Sequence, residues 1–244
     1  MTGKLYVIGT GPGSTDHLTQ RAISAIEECD IIVGYLTYTN LIKDLVVGKE
    51  IIASGMRKEV DRCQEAVEIA RSGKIVAMIS SGDSGIYGMA GIILEIQQKI
   101  APDLEVEIVP GITSAISSAS LIGAPLMNDF AVISLSDLMT SWSVIEKRVE
   151  AAAMGDFVMS IYNPKSKERV SQIEIARDII LKYRDPKTPV GIIKNAMREK
   201  SHTTLTTLEK MLEFDIDMTT TLIIGNSQTY IHDNKMITPR GYKV

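Results

Sequence analysis

The chain has 244 residues, with 30 acidic and 26 basic side chains and a formal net charge of −4. This balance argues against general nucleic-acid binding, which requires a strongly basic face. No apolar run approaches the ~20 residues needed to cross a membrane, and the chain starts at once with a predicted strand rather than a signal peptide. We therefore expect a cytoplasmic α/β protein of one large or two small domains, with Cys29 and Cys63 as free thiols.

The first half of the chain alternates short apolar runs with helical patterns. Strands are predicted at residues 4–9, 30–34, 50–53, 74–79 and 104–109. Helices are predicted at 17–28, capped by Thr15 or Asp16, and at 36–47, 58–72, 89–96 and 114–121. This alternation predicts a mostly parallel sheet with helices on both faces.

A second domain is predicted to begin after Gly123, where Gly123-Ala124-Pro125 interrupts the pattern, giving domains 1–123 and 124–244. Its predicted strands lie at residues 130–135, 157–162, 190–194, 203–208 and 220–225. The fourth of these alternates like an exposed antiparallel strand, so a mixed sheet is expected. Helices are predicted at 143–153 and from 170 to 183. No element is predicted after Tyr230.

Residues 80–88, with the sequence SSGDSGIYG, form the most informative loop. They follow a buried strand and precede a helix, which is where open α/β sheets bind ligands. The glycines allow a ligand to approach the backbone, and Asp83 carries the only charge. Asp83 is therefore the first candidate for a ligand contact.

Residues 9–14, GTGPGS, invite comparison with a dinucleotide-binding turn. Ser14 replaces the third glycine of that fingerprint, Pro12 removes a backbone N–H, and the second strand ends without an acid to hold a ribose. A nicotinamide-dependent oxidoreductase is thus disfavoured. For residues 9–14, a plain tight turn and a loop that meets an anionic group both remain open. For the whole chain, a non-catalytic ligand-binding module also remains open.

Basic residues form three clusters near the same predicted loops. They are Lys165, Lys167 and Arg169, then Arg57 and Lys58, and finally Arg198 and Lys200. Such a cluster usually marks a surface that is exposed to solvent. All three clusters lie near predicted strand ends, however, and would suit a substrate with many carboxylates. The three histidines are scattered, so no metal site is predicted.

The order of four motifs resembles that of the tetrapyrrole (corrin/porphyrin) methyltransferase family. These motifs are GTGPG at 9–13, SGDSGIYG at 81–88, PGITS at 110–114 and GN at 225–226. Further motifs resemble its cobalt-precorrin-3 (precorrin-3B) C17-methyltransferases: VGYLTY at 33–38, GMRKE at 55–59, SLSDL at 134–138, YNPKS at 162–166 and ITPRGY at 237–242. Many relatives have Gly-Asp-Pro where this chain has Gly82-Asp83-Ser84, so a less rigid loop is expected.

The resemblance implies two α/β domains with S-adenosylmethionine in the cleft between them, and S-adenosylhomocysteine as product. Matched residue by residue, the implied cofactor contacts are Ser81, Gly82, Asp83, Ile86, Thr113, Ser114, Tyr162, Asn163, Asn195, Ala196, Gly225 and Asn226. The first loop would form the floor of a substrate trough. With the basic side chains, the expected substrate contacts are Gly9, Gly11, Pro12, Gly13, Lys58, Lys165 and Arg169.

The implied reaction is methylation of C17 with ring contraction of a polycarboxylate tetrapyrrole, cobalt-precorrin-3 (cobalt-factor III), in cobalamin biosynthesis. Cobalt would arrive with the substrate and no metal would be bound by the protein itself. The acid or base for ring contraction stays open, with Asp16, His17 and Asp83 as weak candidates. A homodimer is implied, and a sister methylase acting on another ring position or on metal-free precorrin-3B is the nearest alternative.

Overall fold

The structure is a computed structural model, and it describes residues 3–55 and 58–243. Contacts divide the chain into two units, Met1–Thr113 and Ser114–Val244. None of the helices within the described ranges is long and apolar enough to cross a membrane.

The first unit is built on a five-stranded sheet in which every pair of neighbouring strands is parallel. Its elements in chain order are β1 (Lys4–Gly9), α1 (Gln20–Glu28), β2 (Ile31–Tyr35), α2 (Leu36–Leu41), β3 (Glu50–Ser54), α3 (Glu59–Arg71), β4 (Ile75–Ser80), α4 (Ala90–Ile100) and β5 (Glu105–Val109). The strand order is β3-β2-β4-β1-β5. The predicted mostly parallel sheet is confirmed.

Side chains on the two faces of this sheet pack into separate cores. Val7, Val33 and Met78 pack with α3 and α4 on one face. Ile8 and Ile79 pack with α1 on the other. The central strands are apolar throughout because helices cover both faces, as is general for parallel sheets.

The first predicted helix begins later than the sequence suggested. Thr19, rather than Thr15 or Asp16, is the N-cap of α1, because its hydroxyl accepts a hydrogen bond from the N–H of Ala22 at 3.1 Å. A short 3₁₀ turn precedes it, capped by the hydroxyl of Ser14. The helix predicted at 36–47 is likewise shorter, since α2 ends at Leu41 and a 3₁₀ turn follows.

The second unit is built on a mixed five-stranded sheet with the order β10-β9-β11-β8-β7. Its elements are α5 (Ser114–Ile122), β6 (Gly123–Ala124), β7 (Phe130–Ser134), α6 (Trp142–Met154), β8 (Val158–Tyr162), α7 (Gln172–Ile180), β9 (Pro189–Lys194), β10 (His202–Thr207), β11 (Thr220–Ile224), β12 (Tyr230–His232) and β13 (Lys235–Ile237). β7 and β8 are parallel, whereas β8, β11, β9 and β10 pair antiparallel in that order. The expected mixed sheet and the antiparallel β10 are confirmed.

A small sheet of β12, β13 and β6 was not predicted. Asp233 and Asn234 both adopt positive φ, 45° and 56°, which is typical of a two-residue hairpin turn. Met236 of β13 is fully buried beside Ile122 and Ile223. Strands of three residues carry too little alternation to be found by pattern, so the turn was the one available signal.

The division between the units falls before α5, because α5 packs on β6, β10 and β11 of the second sheet. The boundary expected from the sequence, after Gly123, falls instead within β6. The domain ranges 1–123 and 124–244 therefore stay a prediction.

Both cysteines are buried and free. Burial raises the pKa of Cys29 to about 12 and that of Cys63 to about 11. The thiolate is therefore strongly disfavoured at neutral pH, and neither cysteine has the environment of a nucleophile.

An ion pair between buried Arg184 and half-exposed Asp156 joins the segment after α7 to the turn before β8. The Arg184 guanidinium contacts Asp156 and donates to the carbonyl of Phe157 at 3.0 Å, and its burial lowers its pKa. Asp156 also accepts from the N–H and hydroxyl of Ser227, at 3.0 and 2.7 Å.

We expect Asp156→Ala to lower the free energy of unfolding by roughly 3 kcal/mol, because it leaves the Arg184 charge buried without its partner. Asp178→Ala is the matched control, since it breaks an exposed pair with Arg177 and should cost at most about 1 kcal/mol. Urea denaturation of the two variants measures both. Equal, small effects would contradict a structural role for Asp156.

Candidate functional site

The carboxyl ends of β4, β1 and β5 lie side by side in the first sheet, so the loops that follow them meet. Gly11 and Gly82 exchange two backbone hydrogen bonds, of 3.0 and 2.8 Å. The N–H of Thr10 donates to the carbonyl of Ser80 at 2.9 Å. The loop of residues 9–14 and the loop of residues 80–88 are therefore one connected piece of backbone.

Two glycines allow these loops to approach so closely. A Cβ atom at Gly9 would lie 2.7 Å from the carbonyl oxygen of Gly82 and 2.8 Å from the nitrogen of Gly111. A Cβ atom at Gly111 would lie 2.5 Å from the carbonyl oxygen of Gly9. No side chain fits at these positions, so backbone packs directly on backbone at this edge.

Asp83 directs its carboxylate at backbone N–H groups. Oδ1 accepts from Gly85 at 2.8 Å, and Oδ2 accepts from Gly111 at 3.0 Å. Ser84, which replaces the proline of many relatives, is fully buried and its hydroxyl donates to the carbonyl of Val7 at 3.3 Å. This hydrogen bond anchors the loop and argues against the expectation that the loop is less rigid without the proline.

The middle of the loop presents apolar groups beside the glycine backbone. Ile86 is 38 % exposed and Tyr87 is 57 % exposed, the latter with φ at 52°. Exposed apolar side chains next to free backbone can hold a flat, partly apolar ligand. Ser81 lies in the same loop, and Thr113 follows β5 at the same edge.

The weak catalytic candidates Asp16 and His17 lie in the short 3₁₀ turn after the first loop. Asp16 is exposed. The carbonyl of His17 lies against Gly11, and its Nδ1 is inaccessible to solvent, with no hydrogen-bond partner in the described ranges. Both residues are thus close in sequence and space to the predicted trough floor, which also contains Pro12 and Gly13.

In the second unit, the first turn of α5 is tied to the sheet beneath it. The N–H of Ala115 donates to the hydroxyl of Tyr162 at 2.6 Å, and the hydroxyls of Ser114 and Thr221 lie 2.5 Å apart. The sequence predicted Ser114 and Tyr162 but missed Thr221. Its only signal was the run Thr219-Thr220-Thr221 at the start of a buried strand.

Two asparagines with left-handed backbone lie at this edge, after the two strands that flank β11. Asn163 follows β8 with φ at 49°, and Asn195 follows β9 with φ at 51°. The Asn163 side chain donates to Ser134 at 3.0 Å, and its carbonyl accepts from Arg169 at 2.6 Å. The structure thus places Tyr162, Asn163, Asn195 and Ala196 at one edge of the second sheet.

Gly225 and Asn226 lie at the opposite edge of the same sheet. β11 runs antiparallel to β9, and the N–H of Gly225 donates to the carbonyl of Pro189, where β9 begins. The six residues of β9 span roughly 20 Å. Asn226 is buried, and its side-chain oxygen accepts from the N–H of Gln228. The structure does not bring these two residues together with Asn163 and Asn195.

Residues 4–212 match the family model described as tetrapyrrole (corrin/porphyrin) methylases. The chain belongs to this family. It is 53 % identical over 247 residues to a cobalt-factor III methyltransferase of Priestia megaterium, a match that covers all of this chain and 46 % of that protein. It is 51 % identical to a probable cobalt-factor III C(17)-methyltransferase of Salmonella typhimurium, covering 98 % of this chain and 99 % of that protein.

A solved structure of the methyltransferase CobJ has the same fold. Its TM-score is 0.92 at 33 % identity, and the match covers 97 % of this chain and all of that one. The two α/β units of this methylase are therefore the family's fold, as the sequence motifs implied.

The predicted substrate cations have different surroundings in this methylase. Lys58 is exposed and lies 3.4 Å from Asp61, and Lys165 is half-buried. Arg169 is only 8 % exposed, and burial lowers its pKa while nearby Asp137 opposes that shift. Arg169 supports the loop that contains Asn163, so its predicted substrate contact stays a prediction that its burial does not favour. Arg57 lies outside the described residues.

A second charged cluster lies near Asn195. Lys194 contacts both Asp215 and Asp217, and Asp217 also accepts from the N–H of Thr219 at 2.8 Å. Burial of Asp217 opposes its ionisation, but these hydrogen bonds outweigh it and lower its pKa to about 2. The segment before β11 is thereby fixed to the end of β9.

Within residues 3–55 and 58–243, no group of three His, Cys, Asp or Glu side chains is placed to hold a metal ion.

We expect Gly111→Ala to lower the free energy of unfolding by about 1–3 kcal/mol, because its methyl group overlaps the backbone of Gly9 and Gly82. The matched control is Gly91→Ala in α4, where nothing lies within 4 Å of the added Cβ. That change should stabilise the protein by up to about 1 kcal/mol through helix propensity. Thermal unfolding of both variants tests this, and equal melting temperatures would contradict it.

Proposed function

We propose that this protein is an S-adenosylmethionine-dependent methyltransferase that methylates C17 of cobalt-factor III, with ring contraction, in cobalamin biosynthesis. The observation that carries the proposal is the 51 % identity to a probable cobalt-factor III C(17)-methyltransferase over nearly the full length of both chains. The glycine-lined edge of the first unit supports it, because a cofactor can lie directly on that backbone.

The first unit would supply Ser81, Gly82, Ile86 and Thr113 to the cofactor. Its N–H groups and hydroxyls can bond a ribose and an amino-acid moiety, while exposed Ile86 offers an apolar surface to a purine. In the second unit, Ser114, Tyr162, Asn163, Asn195 and Ala196 share one edge and would contact the same cofactor. A role for Gly225 and Asn226 stays a prediction that their place at the other edge does not favour.

S-adenosylmethionine supplies an activated methyl group, so the protein's main task is to align that group with C17. Fixed alignment can lower a barrier by ~7–11 kcal/mol in favourable cases. The loops of residues 9–14 and 80–88 suit this task because their backbones are hydrogen-bonded to each other. Ring contraction also requires proton transfer, for which Asp16 and His17 are the candidates at the proposed trough floor.

Incubation with S-adenosylmethionine and cobalt-factor III should yield a product heavier by one methyl group, which NMR places at C17. Metal-free precorrin-3B is the parallel substrate, because the sequence does not distinguish the two. Faster turnover of the metal-free compound would replace the proposed substrate with the alternative. A methyl group at another ring position would identify a sister methylase, and no turnover of either compound would refute the proposal.

We expect Lys165→Ala to raise the KM for the polycarboxylate substrate about threefold to tenfold and to weaken its dependence on salt, since one cation is lost. Arg169→Ala should instead destabilise the protein, because the Arg169 side chain holds the carbonyl of Asn163. The control is Lys187→Ala, an exposed cation just before β9 at the opposite edge. Steady-state kinetics at several ionic strengths check this. An unchanged KM for Lys165→Ala would show that Lys165 is a solvent-exposed cation with no role in substrate binding.

Two further features of the protein remain proposals. A cytoplasmic location fits the biosynthetic role given in the names of the relatives. A homodimer is implied by the family resemblance, and sedimentation velocity at micromolar concentration measures it directly.

A further inference from the structure

One carboxylate connects the loop after β4 with the segment after β5. The Asp83 bond to Gly85 closes the loop on itself, and the bond to Gly111 crosses to the neighbouring strand's end. The carbonyl of Asp83 also accepts from the N–H of Ile86 at 3.3 Å. Asp83 thus controls both the shape of its own loop and that loop's distance from its neighbour.

The bond to Gly111 lies where the backbone is most crowded. Gly111 packs against the carbonyls of Gly9 and Gly82, with no room for a Cβ atom. A backbone N–H in such a place is costly to leave without a partner, because crowding restricts the approach of water. The carboxylate satisfies that N–H, and the three loops can then remain in contact.

We propose that Asp83 is a positioning residue, whose carboxylate arranges the backbone of the cofactor loops and does not itself bind the cofactor's charged groups. This inference rests on the proposed function. It differs from the sequence-based interpretation of Asp83 as a ligand contact, because each carboxylate oxygen already accepts from a backbone N–H, that of Gly85 or that of Gly111. The loop presents Ser81, Gly82 and Ile86, and Asp83 acts through them.

The first test requires no ligand. In wild-type protein, NMR should detect scalar coupling across the hydrogen bond from the Gly111 nitrogen to the Asp83 carboxyl carbon. In Asp83→Ala, which removes both acceptor oxygens, the Gly111 amide should exchange with solvent at least tenfold faster. Glu95→Gln removes an exposed carboxylate from α4 and should leave this exchange unchanged. Absent coupling or unaltered exchange at Gly111 would overturn the inference.

The second test compares two ligands by calorimetry. S-adenosylhomocysteine carries an α-ammonium group, whereas 5′-methylthioadenosine has the nucleoside part without it. A positioning role predicts that Asp83→Asn weakens both ligands by the same factor, about tenfold or more. Weakening of S-adenosylhomocysteine alone would show a direct charge contact and overturn the inference, as would unchanged affinity for both.

The two tests separate this inference from the proposed function. Wild-type protein that binds neither ligand would refute the proposed cofactor, and the NMR measurements would still decide whether Asp83 connects the loops. Wild-type binding together with an unaltered Gly111 amide in Asp83→Ala would refute the inference and leave the cofactor proposal standing.

Discussion

The close approach of three backbones at the carboxyl edge of the first sheet is the constraint on which the candidate site depends. β1 lies between β4 and β5, so the three following loops must occupy neighbouring positions. They can touch only because Gly9 and Gly111 carry no Cβ atom. The crowding excludes side chains and lets backbone pack on backbone, so the shape of this edge is fixed by the chain itself.

The second unit fixes its edge by side chains rather than by glycines. Tyr162 and Ser114 tie α5 to the sheet, and Arg169 holds the carbonyl of Asn163. A left-handed backbone conformation costs energy at an asparagine, so it persists only where other contacts hold it. The hydrogen bonds at Asn163 hold it in this way. The two units therefore reach rigid loops by different means, one through absent side chains and the other through buried hydrogen bonds.

The sequence predicted the fold well because apolar runs and loop glycines are local signals. All five strands of the first sheet and all five of the second appear close to their predicted bounds. The direction in which a strand runs within its sheet is not encoded by a local sequence signal. Gly225 follows a buried strand just as Asn163 does, yet β11 runs opposite to β8, so the two loops end at opposite edges. The predicted site therefore grouped Gly225 and Asn226 with Asn163 and Asn195 because all of them follow buried strands, although Gly225 and Asn226 lie at the opposite edge.

Two charged loop residues with predicted ligand contacts make backbone hydrogen bonds in the structure. Asp83 and Arg169 each stand among small or polar residues, where a charge suggests contact with a ligand. In the structure each bonds mainly to backbone, since a loop that makes few regular hydrogen bonds leaves N–H and C=O groups needing partners. A charged side chain satisfies such groups more strongly than a neutral one. Lys58 and Lys165 differ from Arg169 because Lys58 is exposed and Lys165 is half-buried, and both remain candidates for recognising substrate carboxylates.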